Sequence, residues 1–376
     1  MNYILEADIY EGCSQLNMLE YSLECIGIDE NEFVNEGFNI KEKVKNIGKT
    51  ILGWIDNAKG FLKKVTDFVF RKSKVADVAY SSAEKKAEQA VNNMDKVAPE
   101  QAEAKATKVA NNITKVTTNL NKQMEAKDKE IEKSTSTDGT ADVKIDTTSN
   151  NKADSSSVKA GRCAVKTLNT QKVGEFLAQS QQNIHAIASC MNDMDKIFKS
   201  IDTENFNKND TDRLSKKDDS FSRRSDAVRR GIDPKYSNPA KVFLEDEFYT
   251  IEEISKGKRK VHKEIIQVIN TNKKYIDSVQ DRLEKIISQV DKELSKVKQK
   301  VEVYTNKLDR VEYDLDLGRE NSTIYVRFRE NCRYFQREVT NSNYIINTAA
   351  QFVIKYKITL IGYLSAIAAG SSSEAA

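Results

Sequence analysis

Val261 to Leu315 reads VHKEIIQVINTNKKYIDSVQDRLEKIISQVDKELSKVKQKVEVYTNKLDRVEYDL. Val261, Ile265, Val268, Asn272, Tyr275, Val279, Leu283, Ile286, Val290, Leu294, Val297, Val301, Tyr304, Leu308, Val311 and Leu315 recur in it at steps of three or four. Fifteen steps cover 54 residues, or 3.6 per step, the period of a straight α-helix. A heptad coiled coil would average 3.5 and supercoil to the left. The stripe therefore predicts a nearly straight helix, roughly 80 Å long at 1.5 Å per residue, packed along others. Pro239 is placed to start this helical region and Gly318 to end it. A last helical stretch over about 321–368 carries Ile324, Phe328, Phe335, Val339, Ile346, Phe352, Tyr356, Leu360 and Tyr363 and can fold back antiparallel. Ile324, Val326 and Phe328 also alternate, which leaves a short strand open at 320–330.

Working outward, residues 39–70 form the clearest amphipathic helix. Asn39 can cap it, with Glu42 three residues on as in a capping box. Val44, Ile47, Ile51, Ile55, Ala58, Leu62, Val65 and Val69 make its apolar stripe, and Trp54, Phe61 and Phe68 widen it. Lys41, Lys43, Lys45, Lys49, Lys59, Lys63 and Lys64 fill the other side. Such a helix packs on its own protein's core, lies on an anionic membrane, or enters a partner's groove. Residues 75–133 read as a second helical region, which Pro99 divides. The Ser-, Thr- and Asp-rich segment 134–159 reads as a flexible linker, since it cannot bury enough apolar surface to offset ordering. Residues 160–203 return to helix through Val165, Leu168, Val173, Phe176, Leu177, Ile184, Ile187, Met191, Met194 and Ile197. A polar connector follows over 204–238, with Arg223-Arg224 and Arg229-Arg230, and reads as solvated.

Composition agrees. Only three prolines occur, 31% of residues are charged and 39% hydrophobic, which suits long helices with one narrow apolar face each. The expected fold is all-α, an elongated bundle of long amphipathic helices with a disordered central linker. Its expected parts are a leader (1–36), an N-terminal helical region (37–133), the linker (134–159), a helical segment (160–203), the connector (204–238), a long helical hairpin (239–370) and a flexible tail (371–376).

Catalytic patterns are missing. The two histidines, His185 and His262, have no metal-like partner at helical spacing and read as helix-face residues. Gly48-Lys49-Thr50 ends like a phosphate-binding loop, but Lys43 stands where that motif needs glycine, and the segment lies inside the amphipathic helix. Five scattered cysteines make no CxxC pair, which fits a reducing compartment. The start has no basic, apolar signal pattern. Ile358 to Ala369, uncharged, is too short to span a bilayer. A non-enzyme with no metal and no cofactor is expected.

Charge changes most sharply near residue 37. Residues 1–36 hold nine acids and no Lys or Arg, and Lys41 opens a basic stretch. At that boundary stands Val34-Asn35-Glu36-Gly37. Ile9-Tyr10-Glu11-Gly12 has the same form, and Ser372-Ser373-Glu374-Ala375 has a small-residue variant of it. These junctions resemble sites cut by the prohead proteases of tailed bacteriophages. The start, with Tyr3, Ile9, Glu11 and Gly12, resembles propeptides of phage internal head proteins, and the Lys- and Asn-rich helical body is similar in style to virion structural proteins of large phages. The resemblance implies cleavage after Glu11, Glu36 and Glu374, before Gly12, Gly37 and Ala375. It also implies a role inside or on a virion assembled in the host cytoplasm, with other virion proteins as partners. Loss of the leader would take net charge from +3 to about +12, which suits nonspecific DNA contact. Two other readings compete: a membrane-acting, pore-former-like bundle using helix 39–70, and a cellular coiled-coil scaffold.

Overall fold

A computed structural model describes residues 40–135, 161–199, 239–310 and 318–371. The acidic leader with Glu11, Gly12, Glu36 and Gly37, residues 136–160 of the linker region, the connector with its arginine pairs, and the tail with Glu374 and Ala375 lie outside the described residues. In chain order the elements are α1 (Ile40–Asn92), a 3₁₀ turn (Met94–Lys96), α2 (Pro99–Thr135), β1 (Arg162–Leu168), α3 (Thr170–Lys199), α4 (Pro239–Phe243), β2 (Leu244–Thr250), α5 (Ile251–Asp309) and α6 (Gly318–Ser371). The described chain is mostly α-helical, with one two-stranded antiparallel sheet.

The stripes account for the helices. Ile47, Ile51, Ile55, Ala58, Leu62, Val65 and Val69 are all buried on α1, as are Trp54 and Phe61. On α5, Ile265, Asn272, Val279, Leu283, Ile286, Val290, Leu294, Val297, Val301 and Tyr304 are buried. Val261 and Val268 are half-buried, and Tyr275 departs furthest. It is 46% exposed, and Ile276 beside it is fully buried, because a four-residue step from Asn272 keeps the phase better than three.

Several expectations are corrected. No break separates 39–70 from 75–133: α1 runs unbroken to Asn92, and the interruption comes just before Pro99, which opens α2 as the first residue of a helix. Residues 162–168 are strand, and helix begins only at Thr170, where the Asn169 side chain accepts a hydrogen bond from the Lys172 amide at 3.0 Å. Pro239 starts only the short α4, since 244–250 form β2. The long helix then ends at Asp309, and Gly318 begins α6. Residues 320–330 are helix, as expected for the last helical stretch, and the strand left open there does not form. Nor is α5 uniform: Lys258, at φ 39°, breaks its regular conformation, a strained position for a residue with a Cβ.

Two compact units divide the chain. One includes described residues 40–63, 189–199, 294–310 and 318–334. In it Tyr304 donates to the Met191 carbonyl at 3.0 Å, and Lys298 pairs with Asp56 at 2.8 Å. A Cβ on Gly48 would stand 2.6 Å from Thr305 Oγ1, so this glycine serves a close helix approach.

The other unit includes described residues 64–135, 161–188, 239–293 and 335–371. Its α6 portion is buried almost all round, from Ile345 through Leu360 to Ile367, as an enclosed core helix must be. A Cβ on Gly362 would come 2.9 Å from Val116 Cγ1, and one on Gly370 would come 3.0 Å from the Val109 amide nitrogen. Small residues thus let α6 press against the backbone of α2. Phe243 bridges Phe176 and Phe352, with ring centroids 5.2 and 5.1 Å away.

In this unit β1 lies antiparallel to β2, with Val165 opposite Glu247 and Lys166 opposite Asp246. The flanking bonds, Asn169 N–H to Phe243 O and Ile251 N–H to Gly161 O, show that odd-numbered residues of β1 face β2. Ala164, Lys166 and Leu168 therefore turn their backbone groups away from the sheet, and buried polar groups of this kind need partners. Helix side chains supply them. The Lys166 amide donates to Tyr363 Oη at 3.2 Å, and Tyr363 and Thr117 hydroxyls lie 2.9 Å apart. Thr117 donates onward to Ala164 O at 2.9 Å, so the proton order runs from the strand amide through two hydroxyls back to the strand. Tyr356 donates to Lys166 O at 2.8 Å, and the Leu168 amide donates to Asn272 Oδ1 at 2.6 Å. Replacing Tyr363 by Phe strands the Lys166 amide in the interior and should cost about 1–3 kcal/mol. Urea unfolding measures that loss, and hydrogen exchange should show the Lys166 amide deprotected well beyond its neighbours.

Candidate functional site

The most concentrated interior chemistry lies where α1, α5 and α6 meet within this second unit. Lys357 of α6 is only 1% exposed. A buried ammonium is tolerated only when matched by charge and hydrogen bonds. Its Nζ donates to Ser73 Oγ at 2.6 Å, Gln280 Oε1 at 2.8 Å and Asp77 Oδ1 at 3.2 Å. Those three acceptors use its three protons. Asp277 Oδ1 lies 2.8 Å from the same nitrogen, as an ion-pair contact outside hydrogen-bond alignment.

Lys273 completes the cluster, 2.8 Å from Asp77 Oδ1 and 2.6 Å from Asp277 Oδ2. Two ammonium groups thus face two carboxylates. Tyr80, also buried, donates to Asn270 Oδ1 at 2.5 Å, and Asn270 donates to Glu84 at 2.7 Å, which extends the polar seam along α1 and α5. Burial opposes the Asp77 charge, yet the two lysines outweigh it and leave the carboxyl below its ordinary value. Burial likewise opposes the Lys273 charge, and the two aspartates outweigh it and raise its pKa. The arrangement holds three helices in register. Its groups are engaged with one another, so it has the chemistry of a clasp.

A second feature opens at the far end of the same unit. A cleft of about 790 Å³ lies between the end of α1, the turn to α2 and the last turns of α6. Lys86, Lys96 and Lys105 line it, with the carboxamides of Gln89, Asn93 and Gln101. Among the described residues that line it, none is acidic. Ser371 belongs to the lining too; it is 3% exposed, and its Oγ has no hydrogen-bond partner.

The remaining residues singled out in sequence fall elsewhere. His185 is exposed on α3. His262 is buried on α5, with Nδ1 2.7 Å from Lys258 O, and burial lowers its pKa despite that contact. Cys163 and Cys332 are buried free thiols, and burial pushes the Cys163 thiol up to about 12. Among the described residues no three His, Cys, Asp or Glu side chains converge as a metal site would require. In sequence Lys357 reads only as an interruption of an apolar run and Ser371 as part of a flexible tail, whereas Ser371 is buried in the last turn of α6. The signal for the first was a lone charge amid residues that helical spacing turns inward.

Removing the Lys357 ammonium leaves Asp77 and Asp277, 44% and 42% exposed, sharing Lys273, and Lys357→Met should destabilise by about 1–3 kcal/mol. Adding Asp277→Asn should recover part of that loss, as urea titration of the single and double variants will measure. The pH dependence has a definite sign. The Asp77 contribution is present above the ordinary carboxylate value near 4 and fades as pH falls through its lower folded value; that of Lys273 is present below about 10.4 and fades as pH rises through its higher folded value. Urea midpoints should therefore fall on both sides of this window, and less so in Lys357→Met/Asp277→Asn.

Compared with known protein families, curated proteins and solved structures, the chain matches none.

Proposed function

We propose that this chain is a non-enzymatic structural protein of a tailed-phage particle, an internal head or capsid-associated component that works through helix packing and surface contacts. The observation that carries this reading is the coincidence of three boundaries. The acidic leader stops at Glu36, the cleavage-like pair Glu36-Gly37 follows, and α1 begins at Ile40 with its row of lysines. A protease needs an exposed segment beside a folded body, and this reading requires one at Glu36-Gly37. Removing the leader strips nine acids and no bases, which unmasks a net charge of about +12 and favours contact with packaged DNA through its phosphates. The paired charges of the clasp support the same reading, since they are spent on holding helices together. In mature particles the N-terminus should be Gly37, which terminal peptide mass spectrometry reads directly. Recovery of the intact Glu36–Gly37 peptide from those particles would reject processing.

One observation favours a second reading, a membrane-acting helical bundle. Glu338–Ser371 is long and apolar enough to cross a bilayer, with a mean hydropathy of 1.4 over its most apolar window. That corrects the view that this end of the chain is too short to span. Against a membrane role, 61% of the same window is buried within the protein, as in the core helix of a soluble bundle. Liposome flotation separates the two readings, since only a membrane-acting bundle should rise with the vesicles in high salt.

A further inference from the structure

We propose that the cleft at the junction of α1 and α2 is a phosphodiester site, which grips nucleic acid by its backbone without reading bases. The inference rests on the DNA-contact part of the reading above and gives that contact a location. Segregation of charge is the first ground. Residues 84–108 are electrically balanced, with Lys85, Lys86, Lys96, Lys105 and Lys108 against Glu84, Glu88, Asp95, Glu100 and Glu103. The cleft takes three of those lysines and none of the acids. Two of the acids are drawn to other partners: Glu84 accepts from Asn270 at 2.7 Å, and Asp95 pairs with Arg259 at 3.3 Å.

Ser371 is the second, independent ground. A hydroxyl that is buried and unpartnered costs stability unless something completes its hydrogen bonding. Its place in the wall of a basic cleft supplies a reason for keeping it there. The carboxamides of Gln89, Asn93 and Gln101 add neutral N–H donors, and Gln101 sits in the first turn of the 37-residue α2, whose positive dipole end favours anions. Val97, also in the lining, has its carbonyl occupied by Lys258 Nζ at 3.1 Å, which quiets an acceptor that would repel phosphate.

Size and lining chemistry select the ligand. The cleft, at about 790 Å³, exceeds one phosphate and admits a run of backbone. Among the described residues no aromatic side chain lines it, so bases have nothing there to stack on. Lysines act as point charges toward phosphate and carry no sequence information.

The test measures anisotropy of a short labelled duplex of random sequence with the full chain and with a chain beginning at Gly37, between about 50 and 200 mM salt. The variant Lys86→Gln/Lys96→Gln/Lys105→Gln should bind at least about tenfold more weakly and lose about 2–3 units from the log–log salt slope. Neutralising three exposed lysines elsewhere, Lys85→Gln/Lys274→Gln/Lys292→Gln, should change affinity by less than about threefold. Ser371→Ala should weaken binding about two- to fivefold with no loss of thermal stability. Equal losses in the two lysine variants, or none in the cleft variant, overturn the assignment to this cleft and leave DNA contact standing. No binding by either wild-type chain overturns both. Cleft-dependent binding to vesicles of anionic lipid, with none to duplex, overturns nucleic acid in favour of a membrane surface.

Discussion

An ammonium group with 1% exposure sits inside a helical bundle, and the second unit is organised around the need to match it. Leaving Lys357 unpaired would cost several kcal/mol. Ser73 and Asp77 must therefore come from α1, and Gln280 and Asp277 from α5, to the same few ångströms. Purely apolar stripes could slide past each other by one turn with modest loss. A four-point match to one nitrogen cannot slide, so the register of three helices is fixed by charge. Apolar packing then supplies the bulk of the stabilisation, through a core helix enclosed on nearly every side.

The long helices were legible because their period is a property of sequence alone. Ile47 to Val69 and Ile265 to Tyr304 kept the spacing that burial later followed. The sheet was not legible, for a local reason. In Arg162–Leu168 the buried residues include Val165 and Leu168, whose three-residue separation also suits a helix. Leu244–Thr250 opens on three successive acids after Leu244 and lacks the apolar–polar alternation of a strand. What makes both segments extended is mutual pairing and the side chains of Thr117, Asn272, Tyr356 and Tyr363, remote in sequence.

The two polar features were illegible for the same physical reason. Lys357 looked like a break in an apolar run because its partners lie about 80 and 280 residues away. The basic cleft draws on α1, α2, the turn between them and α6. Each contributor, taken singly, belongs to an ordinary solvated face. Only the fold sorts the lysines from the carboxylates beside them. Asn272 gave a fairer hint, as one amide in an otherwise apolar stripe, and the structure uses it to hold the Leu168 amide.

The hydroxyl relay along β1 has a consequence for crowding. A two-stranded ribbon usually leaves a free side on which another chain can template itself. Here one side is already occupied by tyrosine, threonine and asparagine groups, so a third strand would have to displace them. The remaining side belongs to β2, where Glu245, Asp246 and Glu247 stand in succession, and a second copy would meet like charge on approach. The protein can thus be held at very high local concentration without strand-to-strand aggregation through its only sheet among the described residues.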